Sequence, residues 1–260
     1  MTQGLGYVDP GYLDAAARLV ADGKRLSYAR MRLSPGDSAL DVGCGPGTDT
    51  LALAAIVGPA GRVRGVDRDP EMLAEAERRA AAAGLSDRVE HAEGDACALA
   101  FADASFHAVR SERLFLHLAD PERAVAEMVR VTRPGGRVVL MDTDWGTRSV
   151  DTPEVELERR IARVLTERCL ANGYSGRRLY GMMKGAGIEA PEVDLVPLYT
   201  TDYELWRLLS RMEMAFEVAI ADGVMTDDEA RRLDASFREK HAAGTFFAST
   251  MVMMISGTRP

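Results

Sequence analysis

Three glycines alternate in the stretch LDVGCGPGTD at 40–49: Gly43, Gly45 and Gly47, with Cys44 and Pro46 between them. A backbone with this much glycine can turn sharply and can let a ligand lie against it. Carboxylates frame the loop. Asp41 stands just before it, Asp49 just after, and Asp67 lies 20 positions beyond Gly47. A nucleoside triphosphate would need Gly-Lys-Ser/Thr, so that a lysine and a hydroxyl meet phosphate and magnesium. Here Gly47 is followed by Thr48 and Asp49, and that reading fails. A dinucleotide fits better, because Asp67 sits where a ribose-binding acid belongs. Yet the spacing is GxGxG rather than GxGxxG, and Asp41 before the loop suits a cation better than a pyrophosphate.

S-adenosylmethionine meets both objections: it has a ribose, an adenine and a positive sulfonium, and no phosphate. The loop (Gly43, Cys44, Gly45, Gly47) would then touch the methionine end, with Asp41 near the positive charge. Asp67, with Arg68 beside it, would meet the ribose. Asp95 would take the adenine amino group, and Met72 would pack on the adenine ring.

The elements that must hold these residues follow from periodicity and punctuation. SALDV (38–42), RVRGV (62–66), RVEHAE (88–93), FHAVRS (106–111) and RVVLMD (137–142) read as strands. Asp69-Pro70 and Asp120-Pro121 each give an N-cap and a first helical residue. Met72, Leu73, Ala76 and Ala80 form the apolar face of the first of these helices. Val125, Met128, Val129 and Thr132 form that of the second, which RPGG (133–136) should end. Such alternation implies a parallel sheet covered on both faces. Beyond Asp142 come helices at 152–173 and 176–187, a strand at 192–200, helical sequence over 202–243 and a last strand at 245–257.

Composition narrows the class. Thirty-two basic against 40 acidic residues leave a net charge of −8, which argues against a nucleic-acid partner. Three cysteines without a CxxC pair argue against a disulfide framework or structural zinc and suit a reducing compartment. No signal peptide and no membrane-length apolar run are visible, so the expectation is a cytoplasmic protein with no membrane partner.

In order, LDVGCGPG, VRGVDRDPEML, EGDACALAFADASFHAV, LHLADPERAVAEMVRVTRPGGRVVL and FFASTMVMMISGTRP resemble the class I S-adenosylmethionine-dependent methyltransferases. Within them the chain is similar to the ubiquinone/menaquinone and small-molecule tailoring branch. The resemblance implies a Rossmann-like, seven-stranded, mostly parallel α/β sheet with an antiparallel last strand and helical cap insertions. One domain would cover 1–260, with its core at 31–145, 174–201 and 244–260 and lid or cap segments at 1–30, 146–173 and 202–243. It implies cofactor contacts from Gly43, Gly45, Gly47, Asp67 and Asp95, an amide from Ala96, and Arg110 and Ser111 facing the methionine moiety. His107 departs from the family, which usually has Phe-Asp where this chain has Phe106-His107, and reads as a local capping change.

Methyl transfer from sulfonium is an in-line displacement that needs alignment and dryness more than a catalytic signature. His117 stands where related enzymes carry a histidine, as a general base or as a shaper of the pocket. His91 falls within a strand and His241 in the distal cap, on a solvated face. Tyr7, Tyr12 and Tyr28 fall in the lid, where a hydroxyl could reach cofactor or acceptor (Tyr12 is a second catalytic candidate) or simply pack. Asp144 and Trp145 are candidate acceptor contacts, with loop capping and cap anchoring as their other readings. No metal is expected. The acceptor reads as an apolar or aromatic small molecule with O-, N- and C-methylation open, and a homodimer is possible. A non-methylating S-adenosylmethionine enzyme and a nicotinamide dehydrogenase are the alternatives.

Overall fold

The computed structural model describes residues 20–260. Its centre is a seven-stranded sheet in the order β3-β2-β1-β4-β5-β7-β6, with the seventh strand antiparallel to the other six. The strands are β1 (Ser38–Val42), β2 (Arg62–Asp67), β3 (Val89–Glu93), β4 (Phe106–Glu112), β5 (Thr132–Val150), β6 (Glu192–Thr200) and β7 (Ala248–Thr258). β1 lies in the middle, parallel to β2 on one side and β4 on the other, so Ala39, Leu40 and Val42 are wholly buried. That double burial is why the stretch reads as a near-continuous apolar run.

The helices start where the sequence says they should. In α3 (Pro70–Ala82) the Asp69 carboxylate accepts from the amides of Glu71 and Met72, and Met72, Leu73, Ala76 and Ala80 are buried. In α4 (Pro121–Val131) Asp120 accepts from the Arg123 amide. α1 covers Ala21–Met31, and α2 covers Thr48–Val57 directly after the glycine loop.

Two segments depart from expectation. β5 runs from Thr132 to Val150, well past both ends of the expected 137–142. RPGG ends α4 but stays within the strand. β4 pairs Phe106 with Thr132 and Ala108 with Arg137, so the register slips over these residues. Backbone bonds between Gly135, Gly136 and Arg259 satisfy the displaced segment. The expected helix over 152–173 is shorter: α5 (Val155–Val164) passes into a π-helical turn, Leu165–Cys169. There the Thr166 hydroxyl donates back to the Ala162 carbonyl, and the Thr166 carbonyl leaves no room for a Cβ at Gly173.

The chain divides into two compact units. The sheet unit comprises 24–142, 178–194 and 254–260. Its core joins Leu40, Val42 and Val109 of the strands to Val125, Met128 and Val129 of α4, and to Leu179, Met182 and Met183 of α6 (Ser175–Gly185). The helical unit comprises 20–23, 143–177 and 195–253. It contains α5, α7 (Tyr203–Leu209), α8 (Met212–Ala221) and α9 (Asp227–Ala242). Leu157, Ile161, Val164 and Leu165 pack there against Trp206, Ala215, Ala219 and Leu233, and Tyr203, Phe237 and Phe246 form an aromatic cluster. His241, expected on a solvated face, is exposed, but its Nδ1 accepts from the Tyr203 amide at 3.2 Å. It thereby holds the first turn of α7.

Candidate functional site

The glycine loop turns its amides inward. Gly43 and Cys44 donate to the Val66 carbonyl, Gly47 donates to Cys44, and Gly45 donates to Asp67 Oδ2 at 2.8 Å. A phosphate cradle presents free N–H groups to its ligand, and these four already have partners in the protein. All three glycines have positive φ: 74° at Gly43, 49° at Gly45 and 76° at Gly47. The positions differ in what surrounds them. A Cβ at Gly47 would come within 2.9 Å of Ala76 Cβ and 3.0 Å of His91 Nε2. One at Gly45 would meet nothing within 4 Å, so the loop there faces open room. His91 is the wedge beneath the loop, its ring bridging the Thr50 hydroxyl and the Glu77 carboxylate.

Asp67 ends β2 half-buried. Its second oxygen accepts from the Asp69 amide at 3.0 Å, so one carboxylate ties the loop to the start of α3. Arg68 beside it is exposed, and Met72 is buried one turn into α3. Asp95 is exposed and accepts from the Cys97 amide, closing a tight turn over the buried Ala96. These residues all follow the ends of parallel strands β1, β2 and β3, the edge at which open α/β sheets bind ligands.

Behind the loop lies a buried ionic cluster. Asp41 and Arg110 are direct neighbours across the β1–β4 ladder, and Glu112 follows Arg110 on the same face of β4. Arg110 reaches Asp41 at 3.2 Å, Asp49 at 3.1 Å and Glu112 at 2.8 Å. From α1, the Lys24 ammonium lies 2.6 Å from Asp49 and 2.9 Å from Glu112, and the Tyr28 hydroxyl donates to Asp49. Burial pushes Asp41 up to about 7, against the pull of Arg110. Asp49 goes the other way: burial opposes ionisation, but Arg110 and Lys24 hold it well below the usual range. Burial and Asp49 push the Tyr28 phenol upward. Arg113 lies 3.3 Å from Glu112 Oε1, so Lys24, Arg110 and Arg113 face Asp41, Asp49 and Glu112, and the charges balance when all are ionised. Arg110 Nε and Ser111 Oγ are buried with no hydrogen-bond partner among the described residues.

The cluster places several sequence candidates. The cation beside Asp41 is Arg110 of the chain itself, and Tyr28 is engaged with Asp49. Lys24 and Glu112 were not among the sequence candidates. The available signals were the i,i+4 spacing of Lys24 and Tyr28 on α1 and the i,i+2 spacing of Arg110 and Glu112 on β4. Cys44 is buried, and burial pushes its thiol upward. His107 caps β1, with Nδ1 accepting from the Ser38 amide and Nε2 3.2 Å from Asp37. His117 closes the short 3-10 helix Phe115–His117, which Asp142 anchors by accepting from the Leu116 amide.

In the helical unit, Asp144 is wholly buried and accepts from the Gly146 amide and from Arg177 Nε. Those bonds give it a holding role within its own turn. Trp145 is half-buried, 6.4 Å from Trp206 between ring centroids. Tyr7 and Tyr12 lie outside the described residues. Among the described residues no group of three or more His, Cys, Asp or Glu side chains is arranged to hold a metal ion, and no helix is long and apolar enough to cross a membrane.

Known proteins are similar to this chain. A methyltransferase-domain family matches residues 39–136, from β1 into the start of β5. A 37.1 kDa protein in transposon TN4556 of Streptomyces fradiae is 35% identical over 255 residues, 96% of this chain and 71% of that protein. The demethylmenaquinone methyltransferase of Bacillus cytotoxicus is 39% identical over 117 residues, 45% of this chain and 49% of that enzyme. The match to this enzyme therefore spans about half of its length. Among solved structures, geranyl diphosphate C-methyltransferase from Streptomyces coelicolor A3(2), in complex with Mg2+, geranyl diphosphate and S-adenosyl-L-homocysteine, superposes with a TM-score of 0.58. It is 19% identical, and the comparison covers 100% of this chain and 90% of that one.

Proposed function

Since the chain belongs to the class I S-adenosylmethionine-dependent methyltransferase family and uses S-adenosyl-L-methionine as cofactor, we propose that it methylates an apolar or aromatic small molecule. The observation that carries the cofactor half of this reading is the glycine loop: its amides are turned inward, and open room lies over Gly45. Asp67, half-exposed at the end of β2, accepts from the ribose hydroxyls while still holding the loop. Met72 packs on the adenine, and Asp95 with the Ala96 amide reads its edge. Ser111 Oγ and Arg110 Nε offer unpartnered polar atoms to the methionine end.

The bound cofactor supplies an electrophilic methyl group. The chain's own part is to align the acceptor and keep water out. Where the acceptor must lose a proton, His117 is the residue we assign to take it, at a ring nitrogen whose ordinary pKa suits neutral pH. Trp145 is assigned to contact the apolar acceptor. A relative named for demethylmenaquinone and a structural neighbour solved with geranyl diphosphate support an apolar acceptor.

The test is a labelled-methyl transfer screen against quinones, phenols, amines and polyketide-like scaffolds, run beside titration calorimetry with S-adenosylmethionine, S-adenosylhomocysteine and NAD. Transfer to an apolar member of the panel is the expected result. Tight S-adenosylmethionine binding with no transfer to any acceptor would favour a non-methylating reaction at the same site.

A further inference from the structure

Among the described residues of the helical unit, one buried arginine lacks a full set of partners. Arg148 lies on the part of β5 beyond Asp142 and is 1% exposed. Among the described residues its Nε and Nη1 have no hydrogen-bond partner, and its Nη2 reaches only Met212 Sδ, at 3.7 Å. The nearest carboxylate is Glu158 Oε1 on α5, at 3.9 Å. That is outside hydrogen-bond range, and the oxygen is itself unpartnered. Trp206 on α7 adds a second orphan, its buried indole Nε1. The guanidinium carbon of Arg148 is 5.5 Å from the centroid of that ring.

A buried arginine that only braces a fold is tied down on several sides, because an unpaired buried cation costs several kcal/mol. Arg137 meets that description, bonding to Arg30, Thr258, Glu192 and Ser256. Arg148 does not. Burial lowers it to about 10, with Glu158 opposing, so it is cationic at neutral pH. The unpartnered guanidinium N–H groups and the indole N–H thus belong to neighbouring side chains, and each needs an acceptor at about 2.8–3.0 Å. The elements around it carry the irregularities of a unit that can adjust. α7 and α8 meet at Ser210-Arg211, where Arg211 has a φ of 48°, and α5 runs into the π-helical turn.

We propose that Arg148 and Trp206 form an oxyanion site in the helical unit that takes the carboxylate of an apolar acceptor. This deepens the small-molecule reading above and rests on it. A carboxylate fits better than a dianionic phosphate, because Glu158, itself facing Arg159 at 3.5 Å, already supplies negative charge beside the fork. The guanidinium N–H edge serves the two oxygens, and the indole ring serves the adjoining apolar body.

The probe pair is 1-naphthoate and its uncharged analogue 1-naphthamide, titrated by calorimetry into the full chain with S-adenosylhomocysteine present. The wild type should bind naphthoate at least about tenfold more tightly than naphthamide. Arg148→Met should erase that preference without lowering thermal stability, since it removes a poorly paired buried charge. If the methionine variant does not fold, Arg148→Lys carries the test, because it keeps the charge and loses the fork; the preference should then fall by about tenfold. Glu158→Gln should tighten naphthoate, moving opposite to the arginine variants, which general disturbance of the unit would not do. Equal wild-type affinity for the two probes, or an undiminished preference in the Arg148 variant that folds, overturns the proposal. S-adenosylhomocysteine affinity is read in the same titrations. Its loss in the wild type would count against the family reading, and its retention would confine the failure to this site.

Discussion

Replacing Asp41 by asparagine should stabilise this protein at alkaline pH, although it deletes half of a buried ion pair. Asp41 is 2% exposed, and its carboxyl is raised from 3.8 to about 7. At about 1.36 kcal/mol per pKa unit, roughly three units correspond to about 4 kcal/mol. The sign follows from proton counting. Between pH 4 and pH 7 the native state holds a proton that the unfolded chain has released, so stability falls as pH rises and the penalty is complete above pH 7. Asparagine removes that penalty and still offers an oxygen to Arg110. It leaves Asp49 and Glu112 still facing Lys24, Arg110 and Arg113. Urea titrations at pH 5 and pH 8.5 should show a gain for Asp41→Asn that is roughly 2–3 kcal/mol larger at the higher pH. The same variant removes a negative charge beside the loop, so at pH 8.5 it should lose affinity for cationic S-adenosylmethionine while keeping affinity for the neutral S-adenosylhomocysteine. Lower stability than wild type at pH 8.5, or equal losses for both ligands, would refute the reasoning.

The other predictions test the loop and the cap. Asp67→Ala should weaken S-adenosylmethionine by roughly 1–3 kcal/mol in calorimetry, because it strands the ribose hydroxyls and the Gly45 and Asp69 amides; unchanged affinity removes Asp67 from the site. Gly45→Ala should abolish cofactor binding with only about 1 kcal/mol lost in denaturant titration, the cost of its positive φ. Gly47→Ala should cost clearly more stability, because its Cβ would press on Ala76 and His91. In the helical unit, Thr226→Ala removes a capping box in which Thr226 and Glu229 serve each other's amides, and should cost about 1 kcal/mol by thermal melt.

Local chemistry was legible in the residues. Glycine spacing, the acid 20 positions on and the two Asp-Pro starts are rules within a few residues of one another, and the loop, Asp69 and Asp120 obey them. β1 and β6 match their expected bounds because an apolar or alternating run between breakers has few other conformations. The Arg110 cluster was not legible. It is assembled from α1, β1, α2 and β4, and only the β1–β4 register brings Asp41 opposite Arg110. Asp41 read as a partner for a cation, which it is, but the cation is in the chain. β5 was underestimated because Pro134, Gly135 and Gly136 are breakers by composition, while bonds to Arg259 far along the chain keep them in the strand. Arg148 gave no signal, since a lone arginine on a strand reads as solvated until its burial is known.

The position of β7 between β5 and β6 has a consequence for synthesis. β6 is finished at Thr200, but the strand that must pair with it does not emerge until 248–258. Ile255 belongs to the sheet core, and Ser256 and Thr258 bond to Arg137. On the ribosome the nascent sheet unit is therefore missing an inner strand while α7, α8 and α9 are being made. β5 and β6 are left as open edges through that interval, the state in which strands recruit wrong partners. Val193, Leu195 and Tyr199 of β6 are exposed even in the finished fold. A pause in translation before residue 248 should therefore aggregate this protein more readily than a pause after 258.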